Sequence, residues 1–164
     1  MVDCLNKRLI GRNALLEFAV QCVDEDPAGT TFLPLGAVTT KSLAVNGNVI
    51  ESNDSFNESG FTENQMTSRT ITLSASGNCV RNTEDYANAI FVDQLIDHFM
   101  DTADQTLSRE PVVLIRYTRG NRQLVAYMLI NNVNLEDPDA EYSTYSSEFS
   151  LATSPMYPPK WSTI

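Results

Sequence analysis

The stretch SRTITLSAS, residues 68–76, decides the fold class. Ser68, Thr70, Thr72, Ser74 and Ser76 place a hydroxyl at every even position, while Ile71, Leu73 and Ala75 follow Arg69 on the odd ones. Side chains of an extended chain point alternately to opposite faces, so this is a β-strand with one apolar side and one wet but uncharged side. The hydroxyl row has two readings: the outward face of an ordinary β-sandwich, or the wall of a channel.

Immediately before it, Glu51 to Thr67 reads ESNDSFNESGFTENQMT, which predicts a long acidic loop. Its carboxylates are Glu51, Asp54, Glu58 and Glu63, and two isolated aromatics, Phe56 and Phe61, interrupt it. The two phenylalanines either fold back onto their own core or anchor in a neighbouring copy, as single aromatics at interfaces do. Further on, Arg109, Arg116, Arg119 and Arg122 gather around one predicted hairpin. They read as surface charge, or as a basic patch that meets the acidic loop or helix of a second copy.

Composition narrows the possibilities. A chain of 164 residues is the size of one domain and buries roughly 70% of its unfolded surface. Its 11 Lys and Arg against 21 Asp and Glu give a net charge of -10. That disfavours electrostatic nucleic-acid binding, which needs cations to displace counterions from phosphate. Cys4, Cys22 and Cys79 are odd in number and form no CxxC, so neither a disulfide framework nor a zinc cluster is expected. Glu17 cuts the apolar run Ala14–Val20, and no signal h-region or membrane span can be drawn, so the product is expected to fold in a cytoplasm.

Around the hydroxyl strand the pattern is mainly β. Ala14 to Val23 predicts a strand. Phe32 to Val38 and Leu43 to Ile50 predict a strand pair or one kinked strand, with Pro34 confining the first to an edge and Asn46-Gly47 marking a turn or bulge. A single helix is predicted from about Glu84 to Leu107, capped at Asn82 and Asp85. Phe91, Val92, Leu95, Ile96, Phe99, Met100, Ala103 and Leu107 form its apolar face, opposite Asp93, Asp97, Asp101 and Asp104. Val112–Thr118 and Gln123–Ile130 flank Arg119-Gly120-Asn121-Arg122 as a hairpin, and Tyr142–Ala152 alternates again. The tail from about 153 to 164, with its three prolines, predicts an arm. Strands, one helix, then strands predict a mainly β domain spanning 1–164: a two-sheet β-sandwich or barrel with one flanking α-helix and an N-terminal arm over about 1–13.

Catalytic motifs are missing from the sequence. His98 is the sole histidine and reads as a solvated helix residue with no nucleophile motif beside it. No GxGxxG, P-loop or HExxH occurs, and the aspartate spacing does not fit an EF-hand, so no cofactor, metal or enzyme activity is expected.

The order of the pieces resembles the major tail tube protein of long-tailed (siphovirus-type) bacteriophages. The resemblance lies in Val38-Thr39-Thr40-Lys41-Ser42-Leu43-Ala44-Val45, then Val49-Ile50-Glu51, Gly60-Phe61-Thr62-Glu63 and Ser68 to Gly77, and spans roughly residues 36–152. It implies a sandwich with a flanking helix, six copies per ring, and rings stacked into a tube through which viral DNA passes without specific binding. It also implies other tail proteins as partners (tape measure, terminator, baseplate or tip), a place in the virion tail, and assembly in the host cytoplasm. On that reading Ser68, Thr70, Thr72, Ser74 and Ser76 face the lumen. Glu51, Asp54, Phe56, Glu58, Phe61, Glu63, Arg116, Arg119 and Arg122 become the assembly contacts. Two alternatives stand beside it: another ring-forming protein (tail terminator, head-to-tail adaptor or secretion-system tube subunit), or a monomeric binding module for sugar or protein built on Trp161, Tyr157 and loop aromatics.

Overall fold

The computed structural model describes residues 14–20, 25–52, 63–79, 89–102, 110–152 and 156–164. In chain order these form β1 (Ala14–Ala19), β2 (Leu33–Pro34), β3 (Val38–Ser52), β4 (Glu63–Asn78), α1 (Val92–Thr102), β5 (Val112–Arg119), β6 (Arg122–Glu136), β7 (Thr144–Leu151) and β8 (Lys160–Thr163). All strand pairings are antiparallel, in the order β2-β1-β5-β6-β7-β4-β3, with β8 also on β6.

The two expected layers are halves of one sheet folded over on itself. β6 joins them: its first half, Arg122–Leu129, pairs with β5, and Met128–Glu136 pairs with β7, with a register shift between Ile130 and Asn132. Such a bulge bends a strand and lets it pass from one layer to the other. Phe18 on β1 and Phe149 on β7 lie three strands apart, about 14 Å in a flat sheet. Their ring centroids are 5.3 Å apart. The Lys41 ammonium on β3 donates to the Ala14 carbonyl on β1, so a side chain bridges the two ends of the sheet.

Inside the fold sit Leu16, Phe18, Leu73, Val113, Met128 and Phe149, roofed by Leu95 and Val92 of α1. Phe149→Ala removes a ring packed on Phe18 and should cost about 3–5 kcal/mol, read as a lowered urea midpoint. Tyr145, also buried, donates to the Gly36 carbonyl at 3.2 Å. Burial, then the nearby Cys79, push its phenol well above the ordinary range. Burial first, with Asp137 and Asp93 behind it, raises the Cys79 thiol as well. Both groups hold their protons more tightly folded than unfolded, so their contribution is complete below the unfolded values and is lost as pH rises through the folded ones. Thermal melting should therefore fall on the alkaline side, from about pH 9 upward.

Several boundaries differ from the sequence reading. Asn46-Gly47 is no turn: β3 runs straight through it, and the bulge comes one residue later, between Asn48 and Val49. The acidic loop is shorter than Glu51–Thr67, because Glu51 and Ser52 belong to β3 and Glu63–Thr67 to β4. Among the described residues the helix begins at Val92. Ile90 bridges to Leu35 and exchanges backbone bonds with Pro34 and Gly36 at 2.8 Å, which commits its backbone to extended structure. Gln94 Oε1 then accepts from the Phe91 N–H at 3.0 Å, half of a capping box at the first turn, where Phe91 and Val92 are already buried. Residues 84–88 and 103–107 of the expected helix lie outside the described residues. Met100, placed on the apolar face, is 65% exposed. His98 is not simply solvated, since its Nε2 lies 2.9 Å from the Val112 carbonyl. The tail is not a free arm either: Lys160–Thr163, beyond the prolines, pair with Arg122–Val125 as an edge strand.

Candidate functional site

β3, β4, β7 and the last part of β6 form a four-stranded wall. Its outward rows follow from the register: Ser42, Ser74, Glu148 and Asn132 in one, Thr40, Ser76, Ser146 and Asn134 in the next. Thr72 lies beside Ala44 and Ser150, and Thr144 beside Glu136. Ser68, Thr70 and Ser74 are exposed and Thr72 and Ser76 half-exposed, so the alternation read in the sequence faces solvent on the expected side. Hydrogen bonds tie the face together, from Ser150 Oγ to Asn131 Oδ1 at 2.8 Å and from Asn48 Nδ2 to Ser68 Oγ at 3.0 Å. Among the described residues in these rows the charges are Glu136 and Glu148. Lys41 and Arg69 fall on odd positions, opposite Ala75 and Gly47, and belong to the other side.

Both edges of this wall are open among the described residues. β3 pairs with β4 alone, and Asn132–Glu136 of β6 pair with β7 alone. Strand direction alternates across the four, so the two edges run in opposite directions.

Above the wall, β3 and β4 continue as a two-stranded ribbon, because β7 pairs with β4 only from Thr72 to Asn78. Residues 45–52 carry it about 25 Å beyond that level. Its core-side face has run out of core: Val45 is 63% exposed, Val49 52% and Met66 52%. Gly47 makes this pad flat, since a Cβ there would meet Met66 Cε at 2.8 Å. Arg69 Nε donates to Met66 Sδ at 3.3 Å and holds the thioether across the strand.

Whole-fold comparison finds matching solved structures at low sequence identity. In the virion of a native gene transfer agent particle, a chain matches with a TM-score of 0.68 at 10% identity, covering 95% of this chain and 100% of that one. In the tail of an empty gene transfer agent particle, refined with C6 symmetry, the values are 0.66, 9%, 96% and 99%. In the SPP1 tail tube they are 0.62, 10%, 96% and 80%. The fold is that of a phage tail tube protein. No protein-family model matches the sequence and no curated protein matches it.

Within this tail-tube fold the expected contact residues divide. Glu51 is exposed in the ribbon. Glu63 opens β4, and Asp54, Phe56, Glu58 and Phe61 lie outside the described residues. Arg119 and Arg122 are exposed opposite each other at the two-residue turn between β5 and β6. Arg116 stands apart from them: its Nε and Nη2 reach Glu17 at 2.6 and 2.8 Å, and its guanidinium stacks on Phe32 at 4.3 Å. The hydrogen bond to Glu17 raises its affinity for its proton further. That arginine is thus engaged within its own subunit. Sequence reading passed over Val45, Val49 and Met66, although Leu43, Val45 and Val49 already share one parity. Among the described residues no group of three or more His, Cys, Asp or Glu could hold a metal.

Proposed function

We propose that this protein is a structural, non-enzymatic subunit of a bacteriophage tail tube, with the hydroxyl face lining the conduit. The observation that carries the reading is the four-stranded wall with two open, oppositely directed edges and a cation-free outer face. Rotation of a copy about an axis along the strands brings its β3 edge beside the β6 edge of the next copy, and the up-down alternation continues across the boundary. Unpaired strand edges favour such joining. A sixfold ring, the symmetry refined for the gene transfer agent tail, would close about 24 strands at about 4.8 Å each, roughly 37 Å across at the backbone before strand tilt widens it. That leaves room for a DNA duplex inside the ring of side chains.

Duplex DNA carries a charge about every 1.7 Å of axis, so a bore with lysines would hold it by counterion release. Hydroxyls, amides and the carboxylates of Glu148 and Glu136 give it no foothold. The ribbon with Val45, Val49 and Met66 supplies an apolar contact to another copy, and a head-to-tail contact of that kind extends instead of closing. Arg119 and Arg122 on one copy facing the acidic ribbon of another would add steering. Tape measure, terminator and baseplate or tip proteins are the partners this role requires, in the virion tail after assembly in the host cytoplasm.

Negative-stain electron microscopy of the purified protein tests the reading. Filaments of uniform width with a central hole are expected. A protein that stays monomeric at high concentration overturns it, and one that stops at single rings is a terminator or adaptor instead.

A further inference from the structure

The outer face of the other layer, turned away from the hydroxyl wall, carries a preformed cleft of about 600 Å³. One wall is the turn around Pro27 and Gly29, closed by the Ala28 N–H donating to Asp26 Oδ1 at 2.9 Å. The opposite wall is the proline-stiffened passage Met156–Pro159 leading into β8. Tyr127 forms the floor, fixed by its hydroxyl donating to the Glu25 carbonyl at 2.6 Å, with Tyr157 tilted over it at 6.5 Å between centroids. Phe32 and Arg116 flank it as a stacked pair, and Gln123 and Ser162, register partners on β6 and β8, line it with Lys160.

The chemistry of this lining selects a ligand class. The Arg116 charge is matched by the bidentate Glu17 carboxylate, Asp26 also lines the cleft, and the chain carries a net charge of -10, so anions are not favoured. A wholly apolar ligand would bury Arg116, Gln123 and Lys160 against nothing they can bond. What fits is a molecule with one flat C–H face for an aromatic ring and hydroxyls around its edge for planar polar side chains. We propose that this cleft is a carbohydrate site for a neutral pyranose, of a size that takes one or two sugar units. The guanidinium held by Glu17 and the prolines of its wall keep the ordering cost small, which a hydroxyl-rich ligand needs. If the tube reading holds, the cleft lies outside the bore and repeats in every copy. Weak sites repeated in this way gain about 10²–10⁴ in avidity on a glycan surface.

The site belongs to a single copy and is tested on the full-length protein whether or not it polymerises, so its failure is separate from failure of the tube reading. Methyl β-glucoside, methyl β-galactoside and the methyl glycoside of N-acetylglucosamine are titrated to about 50 mM by saturation-transfer NMR, with an oligoproline peptide as the competing class. Saturable binding of at least one glycoside with a Kd of about 1 mM is expected. Tyr157→Ala and Gln123→Leu should each weaken it about tenfold. If Tyr157→Ala lowers the melting temperature, Gln123→Leu, half-exposed between β5 and β8 with its backbone pairing unchanged, decides alone. No binding by any glycoside, binding that survives Gln123→Leu, or binding of the peptide alone overturns the proposal.

Discussion

Replacing Val49 and Met66 together with glutamate is expected to leave the subunit folded and to abolish filaments. Each of these side chains is 52% exposed and sits beyond the level where the core ends, so the isolated subunit loses little. Each surface change of this kind stays within about 0.5 kcal/mol, and the two glutamates, facing each other at the Val49–Met66 register pair, add a repulsion of about 1 kcal/mol at most. At an interface the same carboxylates must be desolvated without a partner, at a cost of several kcal/mol for each ion. Every copy in a ring repeats the penalty, so even a small loss per contact is multiplied. The melting temperature should stay within about 5 °C of that of the parent protein while sedimentation and negative stain show no tubes. Tubes of normal length from this variant would refute the assembly role of the ribbon. A second probe of the same surface is Gly47→Ala: its methyl would press on the terminal Cε of Met66, lift the thioether from the strand and shorten tubes without unfolding the subunit.

The second large effect concerns the bore. Thr72→Lys with Ser76→Lys places two cations per copy on the outward rows of β4, next to Ala44, Ser150, Thr40 and Ser146. Neither position contributes to the core, the residues directly opposite are uncharged and the charge in the row between is the carboxylate of Glu148, so tubes should still form. A sixfold ring would gain about twelve cations, and the resulting grip on DNA should be strongly salt-dependent. Co-sedimentation of a short duplex with lysine tubes at about 50 mM salt, lost by about 200 mM, is expected, against no retention by the parent tubes. Equal behaviour of the two would mean that the hydroxyl face does not line the conduit. Asn48 and Asn131 offer a control, because they lie on the same face in hydrogen bonds to Ser68 and Ser150, and alanine there changes no charge.

Neither effect depends on residues that a reading of catalytic motifs would single out. The candidate site is a surface, and its visibility in the sequence was uneven for a physical reason. The hydroxyl row was legible because alternation over nine residues is imposed by the covalent geometry of an extended chain. The pad was not, because Val49 and Met66 sit among asparagines, glutamates and serines that read as loop, and the bulge that leaves Thr67 unpaired breaks the period of β4 between Ser68 and Met66. Arg116 looked equivalent to Arg119 and Arg122 by spacing. Its partner, Glu17, is 99 residues away in sequence.

By itself the sequence determined the local elements: the two-faced strand at 68–76, the β5–β6 hairpin around Arg119–Arg122, the shared side of Tyr145 and Phe149 on β7, and an amphipathic helix containing Val92 and Leu95. These follow from side-chain periods and turn chemistry within a few residues. Tertiary structure alone decided that one sheet folds over to bring Phe18 onto Phe149, that β6 serves both layers, that Ile90 delays the helix by pairing with Leu35, and that β8 closes a cleft on the outer face. Each of those depends on which distant backbone groups find one another, and such pairings leave no periodic trace in the chain because their energy comes from partners far away in sequence.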